Sequence, residues 1–280
     1  MAGAIVVVGM GYVDALGRTL EVKSPPRRIV SLVPSLTEAL FVFGVGEAVV
    51  GVTDFCVEPR EAVAAKTRVG GTKVLDVARV QALQPDLVVA SAEENRKEDI
   101  QALVQAGLSV FVTLPTTVAG AIDLMEQLAE MAGATDVGGR IVAEAREALA
   151  EVQAANEGRE PVRTFCPIWR NPWLTIGPGT YMHDFITVCG GDNVFGLRHE
   201  RYPRVQLSEM AERDPGVVLL PDEPYRFGAK HVPEISAFWK VSAVRDGRIY
   251  LLEGKHLCWY GPRIAGSLCY VSGLLAGEGA

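Results

Sequence analysis

Paired cysteines are missing from this chain. Cys56, Cys166, Cys189, Cys258 and Cys269 are odd in number and widely spaced, and none forms a C-x-x-C pair. That excludes a disulfide framework and a four-cysteine zinc site as the basis of the fold, and buried, unbridged thiols are expected instead. Histidine is scarce too. His183, His199, His231 and His256 show no HxxxH or HxH spacing, so no ready metal pair is present. The G-x-S-x-G elbow, the P-loop and H-E-x-x-H are absent, which removes common signatures of hydrolases and nucleotide enzymes. Positive charge is not in excess: a net charge of −7 argues against nucleic acid and anionic membrane as main partners. No stretch approaches the ~18 consecutive apolar residues of a membrane span. The opening Met1-Ala2-Gly3-Ala4-Ile5-Val6-Val7-Val8 carries no basic segment and no clean cleavage site, so a chain beginning here is expected not to be exported.

What is present is an alternation of strands and helices. Of the 280 residues 49% are hydrophobic, enough for one large core or two medium ones. Val6-Val7-Val8-Gly9-Met10-Gly11 begins like a dinucleotide-binding turn. Asp14 stands where a third glycine is needed, however, and Pro25-Pro26 arrive before any helix. A hairpin turning through Asp14-Ala15-Leu16-Gly17-Arg18 fits better. Ile29-Val30-Ser31-Leu32-Val33 reads as a strand buried on both faces. Ser35 and Glu38 have capping-box spacing, which predicts a helix from there to a stop at Gly44. Strands over 48–52, 87–90 and 110–114 alternate with helices over 76–83 and up to 106, a pattern that demands parallel pairing and right-handed crossovers.

Two long helices follow, over 118–131 with Thr117 as cap and over 136–155. In the second, Val137, Ile141, Ala145, Leu149 and Val152 mark one face. Some twenty residues make a rod of about 30 Å. The plan then repeats, with strands over 162–166, 217–220 and 248–252 and helices over 181–188, 207–213 and 263–275. Pro85-Asp86-Leu87-Val88-Val89 behind one helix is echoed by Asp214-Pro215-Gly216-Val217-Val218 behind another, which suggests two related lobes. The expected fold is α/β: two Rossmann-like lobes with mainly parallel sheets, bridged by one long α-helix. The expected boundaries are an N-terminal extension over 1–27, lobes over 28–134 and 159–280, and a connecting helix over 135–158.

Several motifs add a resemblance. Arg28-Ile29-Val30-Ser31-Leu32-Val33-Pro34-Ser35-Leu36-Thr37-Glu38, Gln84-Pro85-Asp86-Leu87-Val88-Val89, Cys189-Gly190-Gly191-Asp192-Asn193-Val194-Phe195 and Gly261-Pro262-Arg263-Ile264 occur in that order. Together, over roughly residues 10–276, they resemble the helical-backbone metal-receptor superfamily, the substrate-binding proteins of ABC importers for cobalamin, haem and iron–siderophores. The resemblance implies two α/β lobes on one long helix. It implies a substrate-binding protein, not an enzyme, that captures a metal-bearing macrocycle or chelate in a cleft between the lobes. Cobalamin comes first as the cargo, with haem or a ferric siderophore next, and no intrinsic cofactor is expected. A monomer is expected, with a small-molecule metal chelate and an ABC permease as partners and no nucleic acid. A carrier or sensor without a permease is the alternative. The resemblance implies the periplasm or cell surface, whereas the opening residues, without a recognisable export signal, leave the cytoplasm open.

The sequence departs from the family in two further places. The acidic residues by which family members grip their importer fall at Ala78 and Ser208, with Asp76 and Glu209 only as neighbours. Of the aromatic positions of the cobalamin binders, Phe55 matches one, whereas Ser91 and Thr72 lie near positions that carry tryptophan.

Ligands of open α/β sheets sit beyond the carboxyl ends of strands. At those places the chain has Asp54-Phe55-Cys56, Glu93-Glu94-Asn95-Arg96, Trp169-Arg170-Asn171-Pro172-Trp173, Asp222-Glu223-Pro224-Tyr225 and Trp259-Tyr260-Gly261-Pro262-Arg263. Phe55, Trp169, Trp173, Tyr225, Trp259 and Tyr260 are expected to line the cleft, since rings supply contact area at little entropic cost. Trp173 competes with a role in lobe core. Cys56, Glu93, Glu94, Arg96 and Arg170, with Arg226 and Arg263, offer polar contacts, arginine through its planar donor fork. Glu98 and Asp99 read as a solvated helix start. His256 and Cys258 are the candidates for an axial contact to the metal of a macrocycle. The competing reading of His256 is an ordinary hydrogen-bonding loop histidine. A thiol–imidazole pair of Cys56 and His256 is the one enzymatic alternative.

Overall fold

The computed structural model describes residues 10–22 and 25–278. The apolar run Val6-Val7-Val8 lies outside the described residues. The chain divides into two units. The first holds residues 1–114 and 122–143, and the second holds 115–121 and 144–280.

The first unit is built on a five-stranded sheet in the order Thr67–Arg68, Val49–Val52, Ile29–Ser31, Leu87–Ser91, Val110–Thr113. All four pairings are parallel. Parallel strands need crossovers, and Pro34–Val42, Val77–Ala82 and Lys97–Gln105 supply helices between them. Ile29–Ser31 and Leu87–Ser91 are buried at every residue, which accounts for their unbroken apolar character. Val30, Leu32, Val88, Ala90, Ile100 and Leu103 share one core cluster.

An antiparallel hairpin, Met10–Val13 with Thr19–Val22, opens the described chain. Its turn is held by Asp14, whose carboxylate accepts from the amides of Leu16 and Arg18 at 2.9 Å each. Burial works against the Asp14 carboxylate, but these bonds and the Arg18 guanidinium prevail and hold its pKa below the usual value. The hairpin is stitched to the edge strand: Ala15 donates its amide to Val112 O and Arg18 Nη2 donates to Val110 O, both at 2.8 Å.

The second unit carries a four-stranded parallel sheet in the order Gly191–Asn193, Val162–Phe165, Val217–Pro221, Ile249–Leu252. Phe165, Phe195, Met210, Val218, Leu220 and Phe227 form its main core. A two-stranded antiparallel ribbon, Pro167–Trp169 with Leu174–Thr175, follows strand Val162–Phe165.

The echo between units extends to backbone detail. Helix Val77–Ala82 leads to Gln84 at φ 45°, and helix Leu207–Glu212 leads to Asp214 at φ 44°. A proline and a buried strand follow in each case. Arg28 donates Nε and Nη2 to the Leu83 carbonyl, and Arg163 donates Nε and Nη2 to the Arg213 carbonyl. Each arginine satisfies carbonyls that the end of a helix leaves without an intrahelical partner.

Helix Thr135–Asn156 has 22 residues and passes from one unit into the other. Its inward line is Gly138, Val142, Ala145, Ala148 and Val152, whereas Val137, Ile141 and Leu149 lie at the flanks. The expected face is therefore displaced by about one residue. Gly138 explains it: a Cβ there would lie 2.2 Å from Ala129 Cβ, so small residues must occupy the closest helix–helix approach. A second correction concerns the first helix. Val33 is its N-cap and Pro34 its first residue, so the Ser35–Glu38 capping box does not form. Proline fits that position because its missing N–H would have no partner there. Among the described residues no helix is long and apolar enough to cross a membrane.

Candidate functional site

In the first unit, strand Val49–Val52 runs into a turn closed by the Cys56 amide on Thr53 O at 3.1 Å. Arg68 Nη1 clamps that turn by donating to the carbonyls of Thr53 (2.7 Å) and Cys56 (2.8 Å). Phe55 sits at the corner and is 59% exposed. It borders the hairpin Gly70–Gly71 with Val74–Leu75, where a Cβ on Gly71 would stand 3.3 Å from Phe55 Cε2. Gly70, at φ 93°, gives the chain a reversal that other residues rarely adopt.

Asn95 joins three segments of this edge. Its Oδ1 accepts from the Ser91 amide at 2.8 Å, and its Nδ2 donates to Leu32 O (3.3 Å) and Thr72 O (3.4 Å). Ser91 Oγ accepts from the amides of Glu93 and Glu94 at 3.2 and 3.3 Å, which fixes the half-buried Glu93 and Glu94 just past the strand. Lys73 Nζ donates to Glu93 O at 2.8 Å. Arg96 is exposed and 3.5 Å from Glu98. Glu98 and Asp99 occupy the first turn of helix Lys97–Gln105; Glu98 is exposed there, whereas Asp99 is half-buried with its Oδ2 out of solvent.

Cys56 does not join this edge. It is fully buried, its Sγ 3.1 Å from Thr37 Oγ1 and 3.2 Å from Thr53 Oγ1. Burial pushes its thiol pKa up, and the hydroxyl contacts offset that only in part. A thiol so placed packs the unit and has neither the exposure nor the thiolate character of a nucleophile. Both the ligand-contact and the nucleophile expectations for Cys56 are corrected.

In the second unit, Trp169 ends the strand Pro167–Trp169 with 43% of its surface exposed. Its ring meets Tyr225 edge-on at 5.6 Å. Arg170 Nε lies 2.9 and 3.0 Å from the two Glu234 oxygens, and Glu234 holds the guanidinium pKa above its usual value. Tyr225 packs on Phe227 at 4.8 Å and on His231 at 5.5 Å. Trp173 stacks on Phe227 at 5.7 Å and packs against the main core cluster. It supports this aromatic group from behind, which favours the core reading of Trp173.

Of three expected contacts, Trp259 and Tyr260 turn out to be interior, and His256 is half-buried and turned toward its own unit. Trp259 is 6% exposed; its Nε1 donates to Glu223 Oε2 at 2.9 Å, with Lys255 and Arg263 over its ring at 5.0 and 5.7 Å. Tyr260 is 6% exposed and meets Tyr181 edge-on at 5.7 Å. His256 Nδ1 is 3.1 Å from Ser267 Oγ and its ring lies 4.6 Å from Tyr270, so it faces the closing helix Ile264–Ala276. Burial lowers the His256 pKa. The cause is common to all three: helix Lys255–Cys258 folds this loop back onto its own unit. Cys258 Sγ lies 3.8 Å from Glu223 Oε2. Among the described residues no three His, Cys, Asp or Glu side chains gather into a metal-holding group.

Residues to which sequence reasoning gave no role are Glu234, His231 and Lys73, the last in the hairpin beside Thr72. Glu234 and His231 lie in short helical turns, Val232–Ser236 and Ala229–His231, whose lengths give no periodic signal.

Two α/β units on one long helix, each with polar and aromatic residues at the carboxyl edge of a parallel sheet, define a solute-binding protein of the single-helix class. The chain belongs to the family described as periplasmic binding protein, which it matches over residues 29–255. Among curated relatives it is similar to a vitamin B12-binding protein of Vibrio cholerae serotype O1, with 24% identity over 83% of each chain. A vitamin B12-binding protein of Yersinia pestis is 25% identical over 76% of this chain and 74% of its own. The periplasmic vitamin B12 binding protein BtuF of Vibrio cholerae shares the fold with a TM-score of 0.80 at 23% identity, covering 91% of this chain and 98% of its own. The periplasmic heme-binding protein RhuT from Roseiflexus sp. RS-1 does so at 0.79 and 22% identity, covering 90% and 98%.

Proposed function

We propose that this chain is the substrate-binding protein of an ABC importer and captures a metal-bearing macrocycle or chelate, a corrinoid first and haem or a ferric siderophore next. The observation that carries the reading is the exposed ring at each carboxyl sheet edge: Phe55 in the first unit and Trp169 in the second. Large rings fixed on rigid strand ends offer apolar area to a flat macrocycle, and their ordering cost is met before the ligand arrives. Glu93, Glu94, Arg96, Arg170 and Tyr225 supply the polar contacts. The chemistry is reversible capture, not catalysis, and the metal enters as cargo with no resident cofactor. The relatives named for vitamin B12 support this choice of ligand.

Melting temperature in the presence of cyanocobalamin, hemin and a ferric siderophore tests the reading. A ligand at a hundred times its dissociation constant adds about 2.7 kcal/mol of stability. No shift with any of the three overturns it.

A carrier that works without a permease is the second reading. Asp76 caps helix Val77–Ala82 by accepting from the Arg79 amide at 2.9 Å and lies 3.5 Å from the Arg79 guanidinium. Glu209 accepts from the Gln206 amide and pairs with Arg198. Both acids nearest Ala78 and Ser208 are thus engaged locally, which favours a partner surface that does not rely on acids. Co-purification with a candidate permease separates the two readings.

A further inference from the structure

The hairpin of the first unit, Gly70–Gly71 with Val74–Leu75, has two unlike faces. Leu75 packs against the core cluster. Successive side chains of a strand point opposite ways, so Val74 faces away from that core, and it is 78% exposed. Gly71 is the direct cross-strand partner of Val74. Opposite residues of an antiparallel pair share a face, with Cβ positions about 5 Å apart. A Cβ on Gly71 would stand 3.3 Å from Phe55 Cε2. Phe55 and Val74 are therefore neighbours on one face, with the Phe55 ring against the bare backbone of Gly71.

The backbone at Gly71 does not demand glycine: unlike Gly70, it lies outside the left-handed region. The ring demands it, because a side chain at 71 would take the space that Phe55 Cε2 occupies. Backed by the hairpin, the ring keeps its outer surface open to solvent. The support is fixed at both ends. The Asp54 amide donates to Gly70 O at 2.9 Å and ties the hairpin's base to the turn that carries Phe55. Lys73 Nζ on Glu93 O and Asn95 Nδ2 on Thr72 O tie its tip to the turn beyond strand Leu87–Ser91. Apolar side chains held on such a support lose little freedom when a ligand lands on them.

We infer that Phe55 and Val74 form one apolar shelf for the ring face of a macrocyclic ligand, and that Gly71 is the positioning residue that seats the Phe55 ring. This rests on the macrocycle-binding reading above and assigns two further residues to its site.

Calorimetric titration of wild type, G71A, G71V, V74D, F55A and F55A/G71V with cyanocobalamin and hemin tests it. G71V is expected to weaken binding about three- to tenfold in the wild-type background. In the F55A background it is expected to cost nothing further, since the ring through which it acts is gone. G71A moves the ring less and is expected to fall between wild type and G71V. V74D alters an exposed position, so its melting temperature is expected to match wild type. Its affinity is expected to fall roughly tenfold or more, because a carboxylate beneath an apolar ring face loses its hydration. Melting curves of all variants verify that they fold. Wild-type affinity in G71V, or the same loss with and without Phe55, overturns the positioning role of Gly71. Wild-type affinity in V74D removes Val74 from the shelf. Either result leaves macrocycle binding standing, whereas wild-type protein that binds neither compound removes both.

Discussion

The indole N–H of Trp259 donates to the Glu223 carboxylate at 2.9 Å, and this bond turns the ring inward. Lys255 and Arg263 close over the ring, so this aromatic residue, expected from the sequence to line the cleft, is part of the second unit's interior. The W259A variant is expected to lose about 3–5 kcal/mol of unfolding free energy, the usual cost of deleting a buried tryptophan. Urea denaturation reads this loss directly. W259F, which keeps much of the packing, is expected to lose less and to bind ligand like wild type. Normal stability with lost binding would return Trp259 to the ligand surface.

Phe55 has the opposite profile. At 59% exposure its removal leaves no cavity, so F55A is expected to stay within about 0.5 kcal/mol of wild-type stability. Its ligand affinity is expected to fall roughly tenfold or more, since an exposed ring at a binding surface contributes mainly to the complex. Equal affinities for F55A and wild type would remove Phe55 from the site.

Thiol chemistry separates the cysteines. Cys56, Cys166 and Cys189 are buried and burial raises all three thiol pKa values, whereas Cys269 is exposed. Reaction of the folded protein with a disulfide reagent near pH 8 is expected to begin at Cys269, and C269S is expected to abolish the first phase. Early modification of Cys56 would contradict its placement inside the first unit.

Burial lowers the pKa of His183 and His256. Unfolded imidazoles take up protons near pH 6.5, and these two do so in the folded state only at lower pH. Their contribution to stability is therefore complete above about pH 6.5 and declines as the pH falls through their folded values. Urea midpoints are expected to drop between pH 7.5 and 5.5, and H256N is expected to flatten part of that drop. A midpoint that rises on acidification would refute the assignment.

Much of the architecture is legible in the sequence because the central parallel strands, such as Leu87–Ser91 and Val217–Pro221, are buried on both faces and helices end at glycines such as Gly44 and Gly107, with φ values of 82° and 80°. The two-fold plan shows in the shared helix–proline–strand run and extends to Gln84 and Asp214. The site is less legible. Phe55 and Trp169 are visible as strand-end aromatics, but the inward turn of Trp259 depends on Glu223, a residue 36 positions away. The partners of Arg170 and Tyr225 are likewise fixed by tertiary contacts, 64 positions apart for Arg170 and Glu234. The inward line of the long helix differs from the expected face by about one residue because hydrophobic spacing cannot reveal that Gly138 marks the closest approach.

The most direct test of the ligand-capture account is quenching of tryptophan fluorescence by cyanocobalamin in wild type and in the F55A/W169F double variant. The account predicts saturable quenching in wild type and, in the folded double variant, an apparent dissociation constant raised by roughly tenfold or more. Saturable quenching with the wild-type constant in the double variant would contradict it.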